Sequence, residues 1–136
     1  VDRARYLPLF LEEATDHLAE LGRALLALEK DPSAPAALEL CFRMAHSIKG
    51  MAAAMSLDPI TACAHALEDR LARARSAGGV DPVVELPLWF SALDRLERLL
   101  RSVRDTGECV AEPAGTEDDA APAGLKKKLR RKPLAA

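Results

Sequence analysis

Aromatic side chains are scarce in this chain of 136 residues, at 4%, and β-branched residues are few. Strands draw on both classes to fill a pleated, half-buried surface, so a sheet-centred architecture is disfavoured. No apolar run approaches the roughly 20 residues of a membrane-spanning helix. The opening Val1-Asp2-Arg3-Ala4-Arg5 is not followed by the hydrophobic stretch of a secretory signal. Absent too are a glycine-rich phosphate loop, a catalytic serine elbow and a metalloprotease helix motif. Gly78-Gly79 has no strand before it and reads as a helix terminator. The chain is therefore not expected to perform ATP chemistry alone. Cysteine is sparse: Cys41, Cys63 and Cys109 are an odd number without disulfide or metal spacing. Cys41 and Cys63 fall on apolar helical faces as small hydrophobes, which suits a reducing, cytoplasmic setting.

What remains is plentiful in helix formers. Apolar residues make up 49% and charged residues 29%, with Ala and Leu throughout, a balance that costs little entropy in helices. The length suits one domain with a real core. A net charge of −2 hides an asymmetry, since Lys126, Lys127, Lys128, Arg130, Arg131 and Lys132 hold six of the 19 basic residues. Residues 1–125 keep 13 basic against 21 acidic groups, a balance of −8. An acidic body does not suit nucleic acid, where phosphate neutralisation dominates affinity. A protein partner suits it better.

Four amphipathic segments follow one another. From about Asp2 to Lys30, Leu7, Ala14, Leu21 and Leu28 recur every seventh residue, with Leu11, Leu18 and Leu25 between them. That is the seam of a helix packed nearly parallel or antiparallel to its neighbours. Asp31-Pro32-Ser33-Ala34-Pro35 ends it and starts a second helix, Pro35 to about Met55, with Leu38, Cys41, Phe42, Ala45, Ile48 and Ala52 facing inward. Asp58 before Pro59 reads as an N-cap with proline at the first helical position. Ile60, Ala64, Leu67, Leu71 and Ala74 form the stripe of the third helix. Asp81-Pro82 opens the fourth, where Leu86, Trp89, Phe90, Leu93, Leu96, Leu100 and Val103 keep helical spacing to about Arg104. The pattern predicts an all-α, antiparallel up-down four-helix bundle over residues 1–105. Residues 106–124 are expected to be a flexible linker, and 125–136 a basic tail or short fifth helix.

The polar residues of interest lie off the apolar stripes of the second and third helices. His46 and Lys49 are neighbours on one face, flanked by Arg43 and Ser47. Gly50, one turn past His46, costs about 1 kcal/mol relative to Ala in a helix interior, and leaves the ring uncovered for a partner's approach. On the third helix His65 and Glu68 are likewise three apart, and antiparallel packing would let the two pairs meet. A carboxylate accepting from Nδ1–H would fix the tautomer and leave Nε2 as an outward nucleophile. Lys49 would screen the charge of an added phosphoryl group. His17 adjoins the first seam and is read as a partly buried residue without a task.

The string Phe42-Arg43-Met44-Ala45-His46-Ser47-Ile48-Lys49-Gly50-Met51-Ala52, with His65-Ala66-Leu67-Glu68 after it, resembles the histidine phosphotransfer (HPt) domain, in the version found at the start of CheA-type chemotaxis kinases. The likeness extends from about Tyr6 to Val103. It implies that His46 is phosphorylated, that Glu68 orients it, and that Lys49 and His65 complete a hydrogen-bonded cluster. It further implies a kinase domain that supplies ATP and Mg²⁺, the chain itself binding no cofactor, and a CheY-like response-regulator receiver whose aspartate takes the phosphoryl group. On that reading the chain is a fragment of such a kinase and the substrate domain of its autophosphorylation. Gly50, Arg43, Ser47, Glu12, Glu13 and Asp16 are then expected on the docking surface. No nucleic-acid or membrane partner is expected, and no resident metal. Two other readings stand beside it: a helical adaptor without chemistry, and a metal site of His46, His65, Glu68 and Cys63.

Overall fold

A computed structural model describes residues 2–109. Four helices make up the regular structure among them: α1 (Arg3–Lys30), α2 (Pro35–Ala54), α3 (Asp58–Ala77) and α4 (Glu85–Thr106). Each packs closely on its neighbours in the chain and α4 closes back on α1, while the backbones of the diagonal pairs stay farther apart. Side chains that join opposite ends of successive helices fix the directions. Arg3, at the start of α1, donates to the carbonyl of Gly107 just past α4 (3.3 Å). Arg75 near the end of α3 reaches Glu39 near the start of α2 (3.2 Å). Arg70 of α3 reaches Glu85 at the start of α4 (3.2 Å). The bundle is therefore antiparallel all round.

The sevenfold seam of α1 lies where its spacing puts it, with Ala14, Leu18, Leu21, Leu25 and Leu28 buried. Leu7 and Leu11 are only partly covered, and Phe10 takes the buried place near the helix start. Leu38, Cys41, Ala45, Ile48 and Ala52 carry α2 into the core. The stripe of α3 is buried as read. Trp89, wholly buried in α4, donates its indole N–H to Glu85 (3.1 Å), so the one large polar-tipped core residue is satisfied within its own helix.

Two helix starts differ from the sequence reading. Asp58 is not a cap but the first residue of α3; the capping position belongs to Leu57, which makes no side-chain capping bond. As a first-turn carboxylate, Asp58 still opposes the positive end of the helix dipole. Asp81-Pro82 does not open α4 directly. Asp81 accepts from Val83 N (3.0 Å) through its side chain and from Glu85 N (2.9 Å) through its carbonyl, a turn that delays the helix to Glu85. Gly78 ends α3 and Gly107 ends α4, both left-handed (φ +83° and +78°), where glycine has no Cβ penalty. The last helix thus runs to Thr106, slightly beyond the expected Arg104. Most of the expected linker, and all of the basic tail, lie outside the described residues.

Candidate functional site

The site forms where α2 and α3 run side by side. Helical spacing puts Phe42, His46 and Lys49 along one edge of α2. Ile48 is buried on the core face of the same helix. Antiparallel packing then brings Glu68, ten residues into α3, level with the middle of α2. Glu68 is the one charged residue buried among those described, with 7% of its surface exposed.

Its carboxylate is fully engaged. Oε2 is hydrogen-bonded to Nδ1 of His46, and Oε1 accepts from Nζ of Lys49 at 2.6 Å. Burial by itself would raise the carboxyl pKa. The bonds from Lys49 and His46, together with their charges, outweigh it and hold Glu68 below the ordinary carboxylate value. Glu68 is therefore ionised at neutral pH and has no proton to give. The hydrogen of the His46 bond accordingly resides on Nδ1, and in the neutral ring the lone pair is on Nε2. His46 keeps 62% of its side chain exposed while Lys49 keeps 28%. A buried anion thus holds, from below, a largely exposed imidazole.

Gly50 is exposed, and a Cβ built on it would meet nothing within 4 Å. Internal packing does not demand glycine there. Arg43 is exposed and Ser47 half-buried on α2. Glu12, Glu13 and Asp16 are exposed on α1. Glu13 joins Tyr6, Leu9, Met51 and Ala54 around an open groove of about 580 Å³ between the two helices. Leu9 and Tyr6 leave 54% and 45% of their surface in solvent, so the acidic flank of α1 is interleaved with apolar side chains.

Of the four residues expected in one cluster, three meet. His65 does not: its Nε2 faces Asp69, one turn along α3, at 3.7 Å, and both are exposed. Three positions from Glu68 on α3, it projects to solvent while Glu68 projects into the α2 interface. Cys63 sits apart too, its thiol directed to the carbonyl of Ala92 on α4 (3.8 Å). Among the described residues no three His, Cys, Asp or Glu side chains converge to hold a metal; of the donors in the metal reading, His46 and Glu68 meet while His65 and Cys63 turn elsewhere. His17 is half-buried on α1.

The sequence reading assigned Phe42 wholly to the core and passed over Arg75. Phe42 is half-buried, and its ring stacks on His46 with centroids 6.2 Å apart and planes 13° from parallel. The guanidinium of Arg75 covers the Phe42 ring at 3.9 Å. The i, i+4 spacing of Phe42 and His46 was a legible signal for the first contact. The second crosses between helices and left no such trace.

A helical bundle that presents an exposed histidine backed by a buried carboxylate and a lysine is the architecture of a phosphotransfer module. The Hpt domain family model matches residues 5–106. The chain is 36% identical over 109 residues to the chemotaxis protein CheA of Bacillus subtilis, covering 79% of this chain and 16% of that protein. It is 33% identical to CheA of Halobacterium salinarum (82% and 17%), and 34% identical to the sensor histidine kinase CheAY of Helicobacter pylori (72% and 12%). The chain belongs to the Hpt domain family, as a histidine phosphotransfer module of the phosphorelay type. It spans less than a fifth of the length of these relatives. No helix among the described residues is long and apolar enough to cross a membrane.

Proposed function

We propose that His46 accepts the γ-phosphoryl group of ATP held by the kinase domain of a CheA-like histidine kinase and passes it to an aspartate of a response-regulator receiver domain, in chemotactic signalling in the cytoplasm. The observation that supports this most is the bond from His46 Nδ1 to a buried, ionised Glu68 on an otherwise exposed ring. Nε2 attacks phosphorus in line; the Nε2–P bond forms as the bond to the bridging oxygen breaks and ADP leaves. The ring becomes cationic in that step, and Glu68, already hydrogen-bonded to Nδ1–H, stabilises the new charge. Lys49 is placed to offset the added phosphoryl charge. Transfer through a loose transition state needs positioning and charge stabilisation more than covalent help. Metal and nucleotide belong to the partner kinase, so this domain supplies the nucleophile, its orienting carboxylate and a docking face. The open approach over Gly50, with the acidic and apolar groove of α1 and α2 beside it, is the part of the surface best suited to receive both partners.

Mass spectrometry after incubation with a CheA-type kinase domain, Mg²⁺ and ATP tests the reading. An acid-labile phosphate on His46, absent in His46→Gln, is the expected result. Equal phosphate uptake by His46→Gln overturns the assignment. Absence of uptake by either protein from any CheA-type kinase domain leaves an adaptor without chemistry as the better account.

A further inference from the structure

The hydrogen bond to Glu68 anchors one atom of the His46 ring, but a single bond to Nδ1 leaves the ring free to swing about it. Something else must set the plane. Side chains on a helix lean toward its N-terminus and cover the preceding turn. His46 therefore leans over Phe42, while any side chain at position 50 would lean over His46. One face of the imidazole has an aromatic floor, and the other, beside the bare Gly50, is open.

The floor is itself held. Phe42 sits at the rim of the core, only half-buried. Arg75 from α3 covers its ring at 3.9 Å, and is tied by Nη1 to both carboxylate oxygens of Glu39 on α2 (3.2 and 3.4 Å). The contacts run in one line along the α2–α3 seam: Glu39 to Arg75, Arg75 onto Phe42, Phe42 onto His46, and His46 to Glu68, which also takes Lys49. Phe42 meets His46 by ring stacking, and Arg75 and Glu39 reach His46 through Phe42.

We infer that Phe42, held in place by Arg75 and Glu39, is a positioning residue for His46: it fixes the plane of the imidazole so that the Nδ1–Glu68 bond and an outward Nε2 persist together. The inference rests on the phosphotransfer reading for its purpose, but the ring order it describes is measurable without any transfer. Aromatic pairs of this geometry are worth up to roughly a tenfold bias in a conformational ratio. A cation over a partly exposed ring is worth roughly two- to fivefold.

The test uses Phe42→Leu, Phe42→Tyr and Arg75→Gln in the whole chain. Two readouts apply: the His46 tautomer balance from ¹⁵N NMR of the ring nitrogens, and the rate of phosphorylation by phosphoramidate. With that small donor the Nε2–P bond forms as the donor's P–N bond breaks and ammonia leaves, so partner docking plays no part. Phe42→Leu keeps apolar volume and removes the flat face. It should raise the share of the Nε2–H tautomer and slow phosphorylation by about 3- to 10-fold, with the melting temperature little changed. Phe42→Tyr should restore both to within about twofold, and Arg75→Gln should show a smaller loss of about twofold. An unchanged tautomer balance in Phe42→Leu overturns the inference. So does a loss that Phe42→Tyr fails to rescue, since that would mark a role in packing alone. Failure of the parent protein itself to take up phosphate counts against the phosphotransfer reading, and the tautomer balance still decides the role of Phe42.

Discussion

At the scale of the residue, the arrangement turns on Glu68. A carboxylate buried to this degree ordinarily resists ionisation. Here two donors, Lys49 and His46, bring it below its usual pKa. Replacing it separates its two tasks. Glu68→Gln keeps the volume but holds Lys49 and His46 less firmly and no longer stabilises a cationic ring. Phosphorylation of His46 should slow on the order of 10- to 100-fold, by analogy with the loss of the carboxylate behind a metal-ligating histidine. Affinity for a receiver domain should stay nearly intact, because the carboxylate is beneath the surface. Rates with a kinase domain and receiver binding by titration calorimetry measure the two separately, and an equal loss in both would make Glu68 structural. The lowered pKa also fixes a sign. The folded protein binds the Glu68 proton less readily than the unfolded chain, so the bond contributes stability above the ordinary carboxylate range. That contribution is lost as pH falls through that range to the lower value of the folded state. In acid titrations of stability, Glu68→Gln should therefore show a shallower decline than the parent over this window.

At the scale of the element, the glycines divide by cause. Gly78 stands at φ +83° beyond α3, so a Cβ there is strained. Gly78→Ala should lower stability by about 1 kcal/mol. Gly50 is ordinary helix with open space around it. Gly50→Ala should raise stability by about 1 kcal/mol, which is about 4–8 °C in melting temperature for a domain of this size. Gly50→Gln should also fold well, yet its side chain leans over His46 and should slow phosphorylation by a kinase domain. Thermal melts paired with phosphorylation rates check all three. A faster or unchanged rate in Gly50→Gln would remove the case for clearance. The four helices were legible because burial of Leu and Ala at regular spacing is a property of the sequence itself. The meeting of His46, Lys49 and Glu68 was legible once α2 and α3 were taken as antiparallel neighbours. The exit of His65 from the cluster was not, because residues three apart lie about 60° from each other around a helix, and which of the two turns toward α2 is decided by tertiary packing. The start of α4 was missed for a local reason: the Asp81 side chain competes for the amide of Val83 and stabilises a turn before the helix. Arg75 over Phe42 joins residues far apart in sequence, and neither element alone signals it.

At the scale of the whole molecule, the site belongs to no single helix. His46 and Lys49 stand on α2 and Glu68 on α3, so their meeting depends on the packing of the bundle. Cys41 reports on that packing from α2 itself. It is fully buried, and burial pushes its thiol up to about 12, which leaves almost no thiolate at neutral pH. Cys63 and Cys109 are only partly covered. A thiol reagent should therefore label Cys63 and Cys109 in the folded protein and reach Cys41 only when the bundle opens. With reclosing fast relative to labelling, the protection of Cys41 should equal the global unfolding free energy. Denaturant series of Cys41 labelling, helical circular dichroism and phosphate uptake at His46 should then share one midpoint, as expected of a cooperative single domain. Uptake that vanishes at a lower denaturant concentration than the other two would show instead that the α2–α3 seam parts before the core does. The site would then be held by a locally weaker contact, and the half-buried salt bridge from Lys49 to Glu68 would be the place to look for it.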